Sequence, residues 1–343
     1  VVVAGAGAGE RAEEVARTLG APLLAEVASG ARFGPNLVAA YRELIATANF
    51  GDRVERVIVF GHPTLSREVP ALIQRPGVET LVIRGPGRDD YNPGHQVARF
   101  ADDVSVVPDG AGLEASRSWV GRWVAASRRI LDAQADDPMG AALADDNLER
   151  AHWARAQLAQ LREPITRRLL VRSVWEATWP HDRLVVAASR LIRELDRVAP
   201  GKRIRVHANR GLAGIDGTIA TASGVALAST GGGTTRVLIG DLALLHDAGS
   251  LLGSGGAEED GGSIQLIVGD DHGGAMFDLL EVAGTADPAL FARTMRTPQT
   301  VDVAALATAY GWEHRLVERR GDLAPALTDA GSSRTLIHVP LEG

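Results

Sequence analysis

Two stretches of the sequence place acid and glycine directly after a short apolar run. Val237-Leu238-Ile239 stops at Gly240-Asp241, and Ile264-Gln265-Leu266-Ile267-Val268 stops at Gly269-Asp270-Asp271-His272-Gly273-Gly274. Runs of this kind read as buried parallel strands. Ligands of an open parallel sheet bind just past the carboxyl ends of its strands, so both acidic tips are expected to face one crevice. Two carboxylates and a loop carbonyl suit a hard divalent cation. Magnesium keeps near-octahedral oxygen coordination and shares itself with substrate phosphates, which makes a diphosphate the expected guest. Asp241 has a second reading as a cap for the helix that follows, Asp270 competes with Asp271 as the second ligand, and His272 reads as a loop residue.

The elements that must position these tips follow from periodicity. Val1-Val2-Val3 runs into Gly5-Ala6-Gly7-Ala8-Gly9, and Glu10 to Leu19 then reads as a helix ended by Gly20. This βα unit imitates a dinucleotide fingerprint, but Glu10 stands where the third glycine would fall and its charge would repel a pyrophosphate. Strands are expected over Pro22 to Val27, Val57 to Phe60, Thr80 to Ile83 and Val104 to Val107, with helices over Asn36 to Ala48 and Ser66 to Gln74. Leu113 to Gln134 predicts a long amphipathic helix with Trp119, Val120, Trp123, Val124, Ile130 and Leu131 as a packing stripe, stopped at Asp136-Asp137-Pro138. A polar helix follows from Ala141 to Leu161.

The same alternation then resumes: helices over Leu169 to Thr178, Leu191 to Arg197, Gly217 to Ser229 and Val301 to Ala309, with strands over Arg183 to Ala187, Arg203 to His207 and Arg334 to Val339. Strands alternating with helices give parallel sheets. The expected architecture is α/β, with two three-layer parallel-sheet domains of Rossmann or flavodoxin-like type, residues 1–160 and 161–343. The amino end of the helix from Gly217 is expected to aim free N–H groups and a positive dipole end into the crevice, a seat for phosphate. Residues 253–262, with Glu258-Glu259-Asp260, read as a solvated loop.

Composition excludes several classes of function. With 45% apolar but only 4% aromatic residues among 343, the cores are aliphatic. A net charge of −7 leaves no basic footprint for nucleic acid. The absence of cysteine excludes disulfides and thiol catalysis. No apolar run approaches the roughly 20 residues of a membrane span, and a cytoplasmic location is expected. The chain begins at Val1, already in a strand, so an upstream part is expected.

Gly240-Asp241-Leu242 followed by Asp270-Asp271-His272-Gly273-Gly274 resembles the signature of the thiamine-diphosphate enzymes. Asn209-Arg210-Gly211-Leu212-Ala213-Gly214-Ile215-Asp216-Gly217-Thr218 resembles a block of one branch, the 2-succinyl-5-enolpyruvyl-6-hydroxy-3-cyclohexene-1-carboxylate synthases of menaquinone biosynthesis. The resemblance is strong over about residues 165–343 and one of layout over 1–160. It implies a central domain and a diphosphate-binding domain, the cofactor thiamine diphosphate with Mg2+ or Mn2+, and the substrates 2-oxoglutarate and isochorismate. The first substrate would lose carbon dioxide, and its succinyl-semialdehyde carbanion would add to the second by conjugate addition.

By the same resemblance Asp241, Asp271 and the Gly273 carbonyl would hold the metal. Ser189, Gly214, Ile215, Asp216, Gly240, Leu242 and Gly274 would contact the cofactor, with Ile215 propping it in its bent form. Met276 and Phe277 would line the substrate side, and Arg193 and Arg210 would bind substrate carboxylates. Two departures stand out: many members carry Asn where Asp271 stands, and Asn where Ala188 precedes Ser189. The resemblance further implies an activating glutamate on an amino-terminal pyrimidine domain that no segment here resembles, donated across the interface of a homodimer or homotetramer. Other readings are an acetolactate synthase-like enzyme, a 2-oxo acid decarboxylase, or a nucleotide-binding module using Gly5 to Gly9.

Overall fold

A computed structural model describes residues 1–85, 90–107, 113–134, 147–229, 232–252, 262–329 and 333–342. The Asp136-Asp137-Pro138 break and residues 253–261 of the expected acidic loop lie outside these. The chain divides into two compact units, Val1–Ala135 with Leu195–Val206, and Asp136–Glu194 with His207–Gly343. Both are α/β units built on a parallel sheet, as the alternation of apolar runs and amphipathic stretches predicts.

In the first unit β1 (Val2–Ala4), β2 (Leu23–Ala25), β3 (Arg56–Phe60), β4 (Glu79–Ile83) and β5 (Arg99–Ala101) pair in the order β2-β1-β3-β4-β5, every pair parallel. Around them run α1 (Arg11–Leu19), α2 (Tyr41–Ile45), α3 (Glu68–Ile73) and α4 (Leu113–Ala133). The tryptophan stripe of α4 is a packing surface. Trp123 is fully buried among Val3, Leu24, Val57 and Val82, and meets Trp119 edge to face at 5.5 Å.

Two expectations for this unit fail. The helix expected from Asn36 shrinks to α2, because Leu23 donates to the Asn36 carbonyl at 2.8 Å and Val38 to the Leu23 carbonyl at 2.9 Å. That extended pairing, and an Asn36 side chain bonded to the Ala16 and Ala21 carbonyls, outweigh helical propensity. The fifth strand is Arg99–Ala101, while Val104 and Val106 only pack against the apolar core.

In the second unit the described elements are α5 (Asn147–Gln160), α6 (Arg167–Ala177), β6 (Arg183–Val186), α7 (Arg190–Val198), β7 (Arg205–His207), α8 (Thr218–Leu227), β8 (Thr234–Gly240), α9 (Asp241–His246), β9 (Ser263–Asp270), α10 (Pro288–Phe291), α11 (Val303–Ala309), β10 (Glu313–Leu316), α12 (Arg320–Thr328) and β11 (Arg334–Pro340). The last residues of α7 and most of β7 cluster with the first unit. The sheet order is β10-β11-β9-β8-β6-β7. Val237, Ile239, Leu266, Val268 and Leu336 fill its core, which explains why these strands read as unbroken apolar runs. Sequence periodicity missed β10, whose Glu313-His314-Arg315-Leu316 is the polar pattern of an edge strand, and α12, which carries Gly321 and Pro325.

Candidate functional site

The sheet order places the acidic tips together. β8 and β9 are neighbours in register, Gly240 opposite Gly269, so Asp241 and the Asp270-Asp271 pair leave the sheet side by side. β6 flanks β8 on its other side. From β6 the chain runs outward to β7 and then returns across β6 to β8, which makes the β6/β8 boundary the switch point where an open sheet offers a crevice. A crevice of about 90 Å3 lies there, lined by Ser189, Arg190, Ile215, Gly240, Asp241, Leu242, Asp271, Gly273, Gly274, Met276 and Phe277.

Local backbone shape sets the floor of this crevice. His272 turns with φ 57° and Gly273 with φ 125°, conformations that let the chain double back after β9. A Cβ on Gly273 would stand 2.2 Å from the Arg296 carbonyl oxygen, and the Gly274 amide donates to that same oxygen at 2.7 Å. Met276 and Phe277 follow in a short 3-10 helix, Ala275–Leu279.

Three carboxylates crowd the tips and differ in their commitments. Asp270 is spent on structure: its Oδ2 lies 3.0 Å from His338 Nε2 and its Oδ1 accepts from the His272 amide at 2.9 Å. Burial works against its charge, yet these partners hold it below the ordinary carboxylate range. Asp241 is pushed up to about 6 by burial and by the charges of Asp270 and Asp271. Burial also raises Asp271, against the pull of the Arg167 guanidinium, whose Nε donates to Asp271 Oδ2 at 2.9 Å.

The donor set fits a divalent cation. Carboxylates crowded in this way are relieved by a positive charge between them. Among the described residues no three acidic or histidine side chains are disposed to hold a metal. Two carboxylates and a loop carbonyl would leave a cation's other positions to ligand oxygens, the coordination magnesium accepts.

One expectation about the phosphate seat is overturned. The first amides of α8 do not point freely into the crevice, because Asp247 Oδ2 accepts from Ile219 N at 2.6 Å and from Ala220 N at 3.4 Å. The anion at this positive helix end is the protein's own carboxylate.

Comparison with known proteins adds to this geometry. Residues 194–339 match the family model described as "Thiamine pyrophosphate enzyme, C-terminal TPP binding domain". Over its whole length the chain is 56% identical to the 2-succinyl-5-enolpyruvyl-6-hydroxy-3-cyclohexene-1-carboxylate synthase of Leifsonia xyli, of which the alignment covers 60%. It is 56% identical over 92% of its length to the synthase of that name from Clavibacter michiganensis, covering 55% of it, and 38% identical over its full length to that of Renibacterium salmoninarum, covering 57%. The chain belongs to this synthase family. It spans little more than half the length of these synthases.

Of the residues that the likeness to the synthases singled out, Ser189, Ile215, Gly240, Asp241, Leu242, Asp271, Gly273, Gly274, Met276 and Phe277 meet at the crevice. Ile215 also packs against the sheet core. Gly214, Asp216, Arg193 and Arg210 are not among its lining residues. Arg193 instead reaches back to donate to the Ser189 carbonyl at 2.9 Å, and Arg210 is buried. Sequence reasoning missed Arg167 and Arg190. Arg190 lines the crevice with Nη1 3.4 Å from the Ala275 carbonyl oxygen. The signal available for Arg167 was a cation at the first position of a helix, where the dipole disfavours it.

Proposed function

We propose that this chain forms the cofactor-binding part of a 2-succinyl-5-enolpyruvyl-6-hydroxy-3-cyclohexene-1-carboxylate synthase, acting on 2-oxoglutarate and isochorismate in the cytoplasm as a homodimer or homotetramer. The division into a central and a diphosphate-binding domain near residue 160 belongs to the same proposal. The observation that carries it is the meeting of Asp241 and Asp271 at the switch point of the second sheet, beside a glycine turn that no side chain could occupy. In this reading Asp241, Asp271 and the Gly273 carbonyl bind Mg2+ or Mn2+, and Ser189, Gly214, Asp216, Gly240, Leu242 and Gly274 surround the diphosphate and its rings. Ile215 supports the bent cofactor from the side of the sheet core. Met276 and Phe277 exclude water from the substrate side, and Arg193 and Arg210 bind substrate carboxylates, for which guanidinium is the apt partner. Thiamine diphosphate, when bound, supplies the electron sink that lets a 2-oxo acid lose carbon dioxide and its remaining carbons add to an acceptor.

The test is a calorimetric titration of thiamine diphosphate with Mg2+ into the complete encoded polypeptide, with and without Asp241→Ala. Loss of the carboxylate is expected to weaken binding by about a hundredfold. Unchanged affinity overturns the proposal. Conversion of 2-oxoglutarate and isochorismate, in preference to pyruvate, would then separate this synthase from an acetolactate synthase-like enzyme or a simple decarboxylase.

A further inference from the structure

We propose that Arg167 and Asp271 act as one unit at the crevice, the guanidinium fixing the carboxylate and sharing its charge so that Asp271 meets a divalent cation as a nearly neutral ligand. This inference rests on the diphosphate reading above and assigns a positioning role to a residue outside the set drawn from family resemblance.

The placement of Arg167 is costly by every local measure. It is the first residue of α6, where the helix dipole repels a cation, and its side chain is only 10% exposed. The helix does not need it as a cap, since Thr166 already accepts from Leu169 N at 3.2 Å. A buried cation in an unfavourable field needs an anion, and Asp271, itself 12% exposed and 104 residues away in sequence, is within bonding distance of it. Breaks with local preference that a distant partner compensates mark functional positions.

Backbone bonds hold the pair in register. The Leu341 amide donates to the Asp270 carbonyl at 2.8 Å, and the Glu342 amide to the Ile165 carbonyl at 3.3 Å. One short terminal segment therefore tethers both the end of β9 and the residues that lead into α6. The backbone segments that carry Arg167 and Asp271 cannot separate without breaking these bonds.

Charge supplies the reason for the pairing. Asp241, Asp270 and Asp271 bring three carboxylates to one end of the sheet, and a diphosphate would add more negative charge than one divalent ion offsets. His338 takes up Asp270 and Arg167 takes up Asp271, so less uncompensated negative charge surrounds Asp241 and the cation.

A double-mutant cycle on the complete encoded polypeptide tests this, read as the dissociation constant of thiamine diphosphate at saturating Mg2+ rather than as turnover. Arg167→Met is expected to weaken binding by about tenfold in the native background and by less than about threefold in an Asp271→Asn background, because a neutral amide needs no counter-charge. An equal loss in both backgrounds, or no loss in either, overturns the pairing. Arg167→Lys, which keeps the charge without the fork, is expected to fall between the native protein and Arg167→Met. If Arg167→Met alone does not fold, the comparison of the double variant with Asp271→Asn still decides: a tenfold difference there overturns the proposal. Failure of the native protein itself to bind thiamine diphosphate with Mg2+ overturns the diphosphate reading, an outcome distinct from loss of coupling.

Discussion

At the scale of single residues the crevice depends on groups that tolerate no substitute. Gly273 combines a left-handed φ with a Cβ position 2.2 Å from a carbonyl oxygen, so any side chain must push the Arg296 backbone away. Gly273→Ala is therefore expected to weaken cofactor affinity by about tenfold or more and to destabilise the fold by about 1–3 kcal/mol, measured by calorimetry and by denaturant unfolding. Wild-type values in both measurements would show that the turn relaxes freely. Glycine and aspartate in this order were legible because each type has few reasons to follow a buried strand. Asp270 and Asp271 could not be told apart in that way. Their roles diverge only because His338 comes from the neighbouring strand β11, in register with β9, and Arg167 from α6.

At the scale of elements, helix α8 carries the largest departure from expectation. It starts after Gly217 in a left-handed conformation with no cap from its own first residues. Asp247, 8% exposed and following α9, supplies the missing acceptor and also receives the Ser250 hydroxyl at 2.6 Å. Asp247→Ala leaves buried amide donors unsatisfied, and unfolding in denaturant is expected to register a loss of about 1–2 kcal/mol. A loss below about 0.5 kcal/mol would mean that water replaces the cap. Helix starts are read from the residues just before them, so a cap reaching in from 28 residues away leaves no local trace. The expected helix from Asn36 failed for a related reason, since tertiary pairing with β2 outweighed an apolar spacing suited to helix.

At the scale of the whole molecule, each unit joins distant parts of the chain. In the first unit the returning segment Leu195–Val206 brings in Asp196, fully buried. Asp196 accepts from Tyr41 Oη at 2.7 Å, Arg42 Nη2 at 2.6 Å and Val27 N at 2.7 Å. Nearby Glu26 accepts from the Thr64 and Leu65 amides, both at 2.7 Å, and burial together with Asp196 pushes its carboxyl from 4.5 up to about 8. The folded chain thus keeps a proton that the unfolded chain releases. The stability this group contributes is complete below 4.5 and is lost as pH rises through about 8, at up to about 1.4 kcal/mol per pH unit in between. Glu26→Gln, neutral at every pH, is expected to flatten the dependence of melting temperature on pH between about 5 and 8, and parallel curves for the two proteins would refute this.

The sequence by itself determined the α/β alternation of both units, the acid and glycine tips of β8 and β9, and the family resemblance. These are local patterns, a strand period or a turn residue, and they survive whatever surrounds them. Only the tertiary structure decided that Asp270 is bound to His338 and Asp271 to Arg167, that Asp247 rather than a free phosphate seat meets α8, and that Glu26 and Asp196 share one buried network. Those contacts join residues far apart along the chain, and the order in which strands lie in a sheet sets them, which no window of neighbouring residues encodes.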